Sequence, residues 1–459
     1  MDHTDHLPRQ LNALDLHLLD TETSATPMHI GAIILLDSAA SPRGPLTLTA
    51  LQRLFAERLR LVTPLRRRVR TVPFGLDLPY WEHCANVDLG YHVREVVLPD
   101  GVDDRQLAEC VAGLHAQPLD RSRPLWECHL VTGLAGGRQA VYTKVHHAVI
   151  DGVSAAEIMG AILDATATPM SVISSMDRVP RERTPSTVDM LARSVPHAFT
   201  RPATRVRAVL RTLPTLRRAG TDLRAFHSEV PFNEPITSAR TLAYTSLPLD
   251  AVKAVKNQIG GTVNDVVMAL CTSALRRWMI DHDIPTERPL LAAMPVSVRT
   301  PEEFGTAGNR FSLMLGVLPV AEDNPWHRVK IVHDALLAAK ARFRDQPPDL
   351  LREVTSLLTP LLHGLPTRTV LRAAASALPL VNLLVSNVPG PQIPLYLNGI
   401  RVLASYPVSV LTELSGGLNI TVMSYDGHLD FGILACPDAI PDPWELARHL
   451  ADSLTELQA

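Results

Sequence analysis

The sequence predicts a mixed α/β fold made of two large halves that are joined by a basic crossover. The chain has 459 residues, about three times the roughly 150 residues of a typical domain. Helical and extended patterns alternate in both halves, as in layered α/β proteins. From about residue 165 to 235, strand patterns are absent and Ser, Thr and Pro are common. We therefore divide the chain into residues 1–169, a crossover linker 170–235, and residues 236–459.

The first half alternates helices and strands up to a tight turn. Periodicity predicts, in chain order, a helix over Leu51–Leu61, a strand over Val93–Leu98, a helix over Leu107–His115, and strands over Leu125–Thr132 and Gln139–His147. The last two strands flank the glycine-rich segment 133–137, which suits a hairpin. Residues 154–157 then have the spacing of a capping box, so a helix is expected directly after the turn.

The second half mixes the same two periodicities. The pattern predicts a helix over Val263–Ile280 and strands over Leu290–Val298, Phe311–Leu318, Asn419–Ser424 and Leu429–Leu434. Asp426-Gly427 between the last two strands is a strong signal for a hairpin turn. The two halves are therefore expected to be layers of related construction.

The composition is that of an ordinary folded protein. Hydrophobic residues make up 46% of the chain, and 44 basic residues oppose 47 acidic ones, so nothing in the net charge of −3 suggests nucleic acid binding. Mean hydropathy is +0.08, but no run of about 18 apolar residues occurs, so no membrane-spanning helix is expected. The first five residues lack the features of a secretion signal. Five dispersed cysteines indicate reduced, mostly buried thiols, as in the cytoplasm.

The crossover carries a concentrated positive charge. Between Met190 and Arg224 there are eight arginines and one acid, Asp222. Each basic residue near an anionic membrane contributes about 1 kcal/mol of attraction. The segment is expected either to lie on such a surface or to form a solvated helical face.

The strongest chemical signal is a pair of histidines at the end of a predicted strand. It is the run His146-His147-Ala148-Val149-Ile150-Asp151-Gly152. Because side chains alternate along a strand, the two histidines point to opposite faces and are not expected to share a metal ion. A histidine at a strand end facing a cleft suits a general base, since imidazole titrates near neutral pH. The alternative is two buried, hydrogen-bonded histidines, but Asp151 and Gly152 at this spacing favour catalysis.

Motifs of other reaction types do not accompany this run. The sequence has no Gly-x-Ser-x-Gly elbow, phosphate-binding loop, zinc-binding helix motif or dinucleotide fingerprint. Direct proton abstraction from a substrate is therefore favoured over a covalent enzyme intermediate, and neither a metal nor a bound cofactor is expected.

The run resembles the HHxxxDG motif of the bacterial wax ester synthase/diacylglycerol acyltransferase family. Further segments match that family in order: Leu14-Asp15, Thr26-Pro27-Met28-His29-Ile30-Gly31, Arg123-Pro124-Leu125-Trp126-Glu127, Gly260–Val267 with its Asn-Asp pair, Pro295–Arg299, Gly308-Asn309-Arg310, Ser386–Pro391 and Ser424–Gly427. The resemblance implies two chloramphenicol-acetyltransferase-like α/β sandwich domains joined by a crossover, with the active site between them. In that fold, residues 1–169 carry the HHxxxDG motif and residues 236–459 carry the Asn-Asp motif.

The family's mechanism is implied for the matching residues. His147 would remove the hydroxyl proton of an acceptor alcohol, with His146 and Asp151 as the other catalytic motif residues and Gly152 as support for the turn. The alkoxide would attack the thioester of acyl-CoA. In the wider superfamily the aspartate usually forms a structural ion pair with an arginine of the second domain, and Arg299 is the expected partner.

The Asn-Asp motif supplies two further candidates. Asn264 is expected to hydrogen-bond the oxyanion or a main-chain group near it, or to cap the following helix, and the two roles are compatible. Asp265 is expected to support the first turn of that helix through its dipole.

The resemblance also implies substrates and location. Acyl-CoA, a substrate and not a cofactor, would donate a long acyl chain to diacylglycerol or to a long-chain alcohol, at a peripheral membrane or lipid-droplet surface on the cytoplasmic side. Two alternatives remain: an acyltransferase using another hydroxyl acceptor or a carrier-protein thioester, and a non-catalytic lipid-droplet protein.

Overall fold

The computed structural model describes residues 10–73, 76–150, 158–168, 186–192, 194, 230–297, 311–344, 381–413 and 415–459. Within these ranges the chain forms helices and strands that alternate in both halves, so the predicted mixed α/β architecture is confirmed. The arginine-rich part of the crossover lies outside the described residues, and its role stays a prediction. In the described part, no helix is both long enough and apolar enough to cross a membrane.

In the described part of the first half, the bounds of six strands and four helices are defined. The helices are α1 (Ala13–Thr21), α2 (Leu48–Arg58), the single turn α3 (Leu89–His92) and α4 (Asp104–Ala116). The strands are β1 (His29–Leu36), β2 (Arg67–Arg70), β3 (Tyr80–His83), β4 (Val93–Val102), β5 (Trp126–Leu134) and β6 (Gln139–His146). Asp103 and Gln106 form a capping box that fixes the start of α4.

The second half continues with the same two kinds of element. Its helices are α5 (Leu249–Ile259), α6 (Val263–Asp281), α7 (Pro325–Arg344) and α8 (Trp444–Glu456). Its strands are β7 (Thr241–Pro248), β8 (Leu290–Ser297), β9 (Phe311–Leu318), β10 (Leu383–Val388), β11 (Tyr396–Leu397), β12 (Ile400–Val408), β13 (Leu418–Tyr425) and β14 (His428–Ala435). The predicted hairpin joins β13 to β14, and Asp426 and Gly427 both take positive φ angles, of 40° and 81°.

Two six-stranded sheets organise the molecule. The first has the order β11-β12-β1-β6-β5-β4, and the second has the order β7-β14-β13-β10-β8-β9. Strands β11 and β12 come from the second half of the sequence but complete the sheet of the first half. The predicted division at residues 169 and 235 stays a prediction. The sequence pattern did not indicate that two strands of the second half would join the first sheet.

Buried apolar residues form three main clusters. One packs the helices of the second half against the second sheet, and another covers one face of the first sheet beneath α2. The third lies on the opposite face of the first sheet and contains residues of both halves, such as Val111, Tyr142, Tyr244 and Leu434. Close packing across this join requires Gly432, since a Cβ there would overlap the carbonyl oxygen of Pro407.

Candidate active site

The histidine pair lies where β6 ends between its two neighbours. The main-chain N–H of His146 donates to the carbonyl of Leu125, at 2.9 Å, and that of His147 donates to the carbonyl of Met28, at 2.8 Å. His29 of β1 pairs directly with His146 in the antiparallel register. Backbone hydrogen bonds therefore bring three motifs that are distant in the sequence to one end of the first sheet.

The two histidines occupy different environments. His146 is fully buried, whereas His147 is partly exposed. Nδ1 of His146 accepts a hydrogen bond from the N–H of Ala148 at 3.0 Å, so its proton resides on Nε2 in the neutral form. His146 thus holds the main chain immediately after His147, and His147 is the member of the pair that solvent or substrate can reach.

A buried carboxylate lies beside His146. Oε1 of Glu22 is 3.5 Å from Nε2 of His146, and its Oε2 accepts from Arg121 at 2.7 Å. Burial alone would raise the pKa of Glu22, but the interactions with His146 and Arg121 outweigh it and lower the pKa to about 2. Glu22 is therefore a fixed negative charge beneath the histidine pair.

Lys144 anchors the same face of β6 with a buried positive charge. Its Nζ donates to the carbonyls of Leu114 and Gln117, at 2.9 and 3.0 Å, and lies 3.2 Å from Oε2 of Glu127. Burial lowers the pKa of Lys144, and the Glu127 carboxylate opposes that shift. The ammonium ties the end of α4 to the strand that carries the histidines.

Contacts between the halves converge on this region. Nδ1 of His115 lies 2.7 Å from the hydroxyl of Tyr142, and its Nε2 lies 2.9 Å from the carbonyl of Ser409. Burial lowers the pKa of His115 to about 3, so this histidine is neutral at physiological pH. The guanidinium of Arg240 donates to the carbonyl of Ala25 at 2.6 Å. The loop before β1 is thus held by both halves.

The Asn-Asp motif opens helix α6 in the second half. The N-cap is Thr262, whose hydroxyl accepts from the N–H of Asp265, while Asp265 accepts from the N–H of Thr262 at 2.8 Å. The expectation that Asn264 caps this helix is wrong, because Asn264 is already its second residue. Oδ2 of Asp265 also lies 2.8 Å from Nδ1 of His333, and Lys340 is 3.6 Å from its Oδ1. The contacts of Asp265 therefore hold α6 against α7.

Asn264 lies beside another motif of the second half. The side-chain amide of Asn387, in β10, donates to Oδ1 of Asn264 at a long 3.4 Å. The N–H of Gly390 donates to the hydroxyl of Ser424 at 3.0 Å, which joins the segments 386–391 and 424–427. Asn264 is half-buried, and this long contact is the one side-chain hydrogen bond that it makes among the described residues.

Three of the predicted site residues lie outside the described part of the chain. They are Asp151, Gly152 and Arg299. The expected ion pair between Asp151 and Arg299, and the capping box at residues 154–157, therefore stay predictions.

Several residues that shape the site lie outside the recognised motifs or had no predicted role. No role was predicted for four residues that contact a motif segment or the residue next to one: Glu22, Lys144, Arg240 and His333. The sequence does contain one indication of a polar site at the histidine end. Tyr142, Lys144 and His146 alternate along β6 and so place polar groups on a strand face where apolar residues are expected. The contacts of Glu22 and Arg240 join residues that are distant in the sequence, so no local sequence pattern predicts them.

Comparison with known proteins places the chain among acyltransferases. Residues 11–267 match the family model of the wax ester synthase/diacylglycerol acyltransferase catalytic domain, and residues 307–458 match that of its C-terminal domain. A Mycobacterium tuberculosis protein described as a diacylglycerol O-acyltransferase is 34% identical over 98% of this chain and 90% of its own length. The O-acyltransferase WSD of Acinetobacter baylyi is 28% identical over 97% of this chain and 96% of its own.

Solved structures agree with these matches. The wax ester synthase/diacylglycerol acyltransferase of Marinobacter aquaeolei VT8 superposes with a TM-score of 0.69, at 28% identity, over 98% of this chain and 99% of its own. A condensation domain of the calcium-dependent antibiotic synthetase gives a TM-score of 0.56 at 20% identity, over 99% of this chain and 96% of its own. The expected architecture of two sheet-containing, acetyltransferase-like domains is confirmed.

Proposed function

The chain belongs to the wax ester synthase/diacylglycerol acyltransferase family, and from that premise we propose that it moves a long fatty acyl group from acyl-CoA to the hydroxyl of diacylglycerol and of long-chain alcohols. The products are triacylglycerol and wax esters. The observation that carries this proposal is the convergence of three family motifs on the partly exposed His147, directly after β6.

His147 acts as the general base in this reaction. It takes the proton of the acceptor hydroxyl as the oxygen attacks the thioester carbonyl, and the carbonyl oxygen becomes an oxyanion. Collapse of the tetrahedral intermediate breaks the carbon–sulfur bond, and the proton carried by His147 passes to the departing CoA thiolate. The partial exposure of His147 supports this role, because the base must reach a substrate.

The neighbouring motif residues support the base or the oxyanion. His146 holds the turn through Ala148, with its own proton directed to Glu22. Asn264 donates its amide to the oxyanion, which agrees with the long contact to Asn387 that its Oδ1 makes within the described part of the chain. For Asp151, Arg299 and Gly152, which lie outside the described residues, we propose the roles that the family resemblance implies: a structural ion pair between the first two and support of the turn by the third.

A competition assay tests the substrate assignment. Purified protein is given labelled palmitoyl-CoA together with equal amounts of diacylglycerol and hexadecanol, and the lipid products are separated and counted. We expect labelled triacylglycerol and wax ester, both in excess of a boiled control. Transfer to neither acceptor refutes the proposal and favours another hydroxyl acceptor, a carrier-protein donor or a non-catalytic lipid-binding protein.

Peripheral binding to an anionic lipid surface is a second part of the proposal. It is supported by the eight arginines between Met190 and Arg224 in the sequence. We expect the protein to float with vesicles that contain anionic lipid and to be released by salt, since surface electrostatics are screened. A variant in which Arg205, Arg207 and Arg211 are changed to Gln should float less. Equal flotation of both proteins contradicts this part.

A further inference from the structure

A buried arginine of the second half reaches across to the turn before β1. Arg240 directly precedes β7 and is 8% exposed. One guanidinium nitrogen, Nη1, donates to the carbonyls of Thr237 and Ala239 in its own half, at 2.6 and 2.7 Å. The other, Nη2, donates to the carbonyl of Ala25 in the first half, at 2.6 Å. One side chain therefore connects the two halves at this point.

The guanidinium of Arg240 is buried among main-chain carbonyls. Within the described part of the chain, its hydrogen bonds all go to such carbonyls. Burial lowers the pKa of Arg240 to about 10, so the group still carries its charge at neutral pH. Arginine offers a planar fork of donors, whereas the ammonium of lysine is a single point charge. The fork is therefore what allows one residue to hold carbonyls of both halves at once.

The carbonyl of Ala25 belongs to a tight turn. The main-chain N–H of Thr23 donates to the carbonyl of Thr26, and that of Thr26 donates to the carbonyl of Thr23, at 3.3 and 3.1 Å. The hydroxyl of Thr23 accepts from the N–H of Ala25 at 3.2 Å and lies 2.7 Å from the hydroxyl of Thr26. Because these bonds close the turn on itself, a displacement of Ala25 is passed on to the segment that follows.

That segment contains the carbonyl that holds the main chain of the base. Met28 lies three residues after Ala25 and is 4% exposed. Its carbonyl accepts from the N–H of His147 at 2.8 Å, and its own N–H donates to Oε1 of Glu22 at 3.2 Å. The position of the turn therefore determines where Met28 holds His147.

We propose that Arg240 is a positioning residue for His147, which it holds from the second half through the turn at Ala25 and the carbonyl of Met28. It does not touch the reacting atoms. The contact makes the placement of the base depend on how the second half packs against the first. A displacement of a reacting group by about 1 Å costs about 10²-fold in rate, so the effect on catalysis should be large. The inference rests on the proposed function, since it concerns the base of that reaction.

Arg240→Lys tests this role, because lysine keeps the charge but cannot hold the carbonyls of both halves. The kcat for acyl transfer from palmitoyl-CoA to diacylglycerol should fall about 10²-fold. The KM of each substrate should stay within about twofold of wild type, because the substitution moves the base and not the substrate contacts. A raised KM with unchanged kcat overturns the inference.

The matched control is Arg328→Lys, at a second buried arginine. Arg328 is 3% exposed, and its guanidinium likewise donates to a main-chain carbonyl, that of Glu322, and to the hydroxyl of Ser273. These contacts join α6 to α7 and the segment before it, and do not reach the turn at Ala25. Arg328→Lys should therefore lower the melting temperature but keep wild-type kcat. Equal losses of kcat in the two variants overturn the inference.

A double-mutant cycle with Thr23 tests the route through the turn. Thr23→Val removes the hydroxyl that closes the turn and should lower kcat about tenfold. If both residues act on His147 by this route, the double variant should be no slower than Arg240→Lys alone. Independent effects would multiply to about 10³-fold and overturn the route. Should Arg240→Lys not fold, Thr23→Val decides alone, and wild-type kcat in that variant overturns the inference.

Motion of the His147 ring gives a readout that does not need activity. Its NMR signal is identified by its loss in His147→Ala, and ¹³C relaxation of the ring reports motion on the picosecond to nanosecond timescale. We expect a lower order parameter in Arg240→Lys than in wild type and in Arg328→Lys. An unchanged order parameter overturns the inference. If the ring loosens as expected but the wild-type chain transfers no acyl group, the proposed function fails while the positioning role stands.

Discussion

Two regions of the molecule are built in different ways. One is the histidine end of the first sheet, at His146 and His147, and the other is the corner of the second half at Asn264 and Asp265. At the histidine end, motifs are joined by main-chain hydrogen bonds in strand register, such as that from His147 to Met28. Beside His146 lie charged side chains that are largely buried, including those of Glu22 and Lys144, which are 8% and 1% exposed. At the other corner, a capping box positions the helix, and a single long side-chain contact joins Asn264 to Asn387.

This difference indicates how each corner should respond to substitution. A group held by a strand register and a buried charge network is fixed, and its removal leaves partners buried without a counter-charge. A side chain with one long contact contributes little to folding, so a large effect of its removal on turnover would have to come from the reaction itself. Substitution of the buried charges beside His146 should therefore lower mainly the stability, whereas substitution of Asn264 should lower mainly the activity.

Lys144→Met should have the largest effect on stability. Loss of the ammonium leaves the Glu127 carboxylate and two helix-end carbonyls buried without this partner, which costs about 3–5 kcal/mol. The matched control is Lys253→Met, since Lys253 contacts Asp250 at 3.1 Å on the surface. An exposed pair of that kind is worth about 0–1 kcal/mol. Urea unfolding measures both, and equal losses would contradict the buried network.

Asn264→Ala should separate activity from stability. The 3.4 Å contact to Asn387 predicts a change in unfolding free energy within about 0.5 kcal/mol. Loss of an oxyanion donor typically lowers kcat by about 10²–10³-fold. The two quantities are obtained from urea unfolding and from initial rates at saturating substrates. A variant that keeps wild-type kcat shows that Asn264 does not contact the oxyanion.

The carboxyl group of Asp430 lies at the join between the two sheets, and its titration should change the stability of the protein with pH. Oδ1 of Asp430 accepts from Ser246 at 2.6 Å and Oδ2 accepts from the N–H of Ser405 at 2.8 Å, yet burial raises its pKa to about 6. The folded state therefore keeps a proton between about pH 4 and 6 that the unfolded state has lost. This group's contribution to stability is full below pH 4 and declines as pH rises to 6, by on the order of 3 kcal/mol.

The Asp430→Asn variant removes this titration. Its melting temperature relative to wild type should rise between pH 4 and pH 7, because only the wild type acquires a buried charge. The measurement is a thermal melt of both proteins across that range. A constant difference in melting temperature would contradict the raised pKa.

Asp265→Ala should have the smallest effect of the series. It removes one reciprocal bond of the capping box and the contact to His333, at a cost of about 1–2 kcal/mol. Asp265→Asn keeps an acceptor for the N–H of Thr262 and should lose less. Thermal melts of the two variants decide this, and an equal loss would point to the carboxylate charge beside Lys340 as the main contribution.

Local patterns account for what was predicted from the sequence. The hairpin at residues 425–428 and helix α6 follow from turn chemistry and periodicity, and both occur close to the predicted bounds. The N-cap was misplaced by two residues, because Asn264 and Thr262 both suit a cap and the choice depends on where Asp265 reaches back.

Long-range pairing accounts for what was not predicted. Strand β12 joins the first sheet beside β1, although more than 360 residues separate them in the chain. No local sequence pattern indicates which strand β12 pairs with. The contact of Glu22 with His146 likewise exists only after β1 and β6 pair. The motifs in the sequence identify the catalytic candidates, whereas the charges of Glu22 and Lys144 come to lie beside them only when distant segments of the chain meet.

The most direct test of the central claim is the turnover of His147→Ala. The substitution keeps the main-chain N–H that donates to Met28, and the side chain is partly exposed, so the unfolding free energy should change by less than about 1 kcal/mol. Removal of a general base should lower the rate of acyl transfer from palmitoyl-CoA to diacylglycerol by about 10²–10⁴-fold. A folded His147→Ala protein with unchanged turnover would contradict the assignment of His147 as the base.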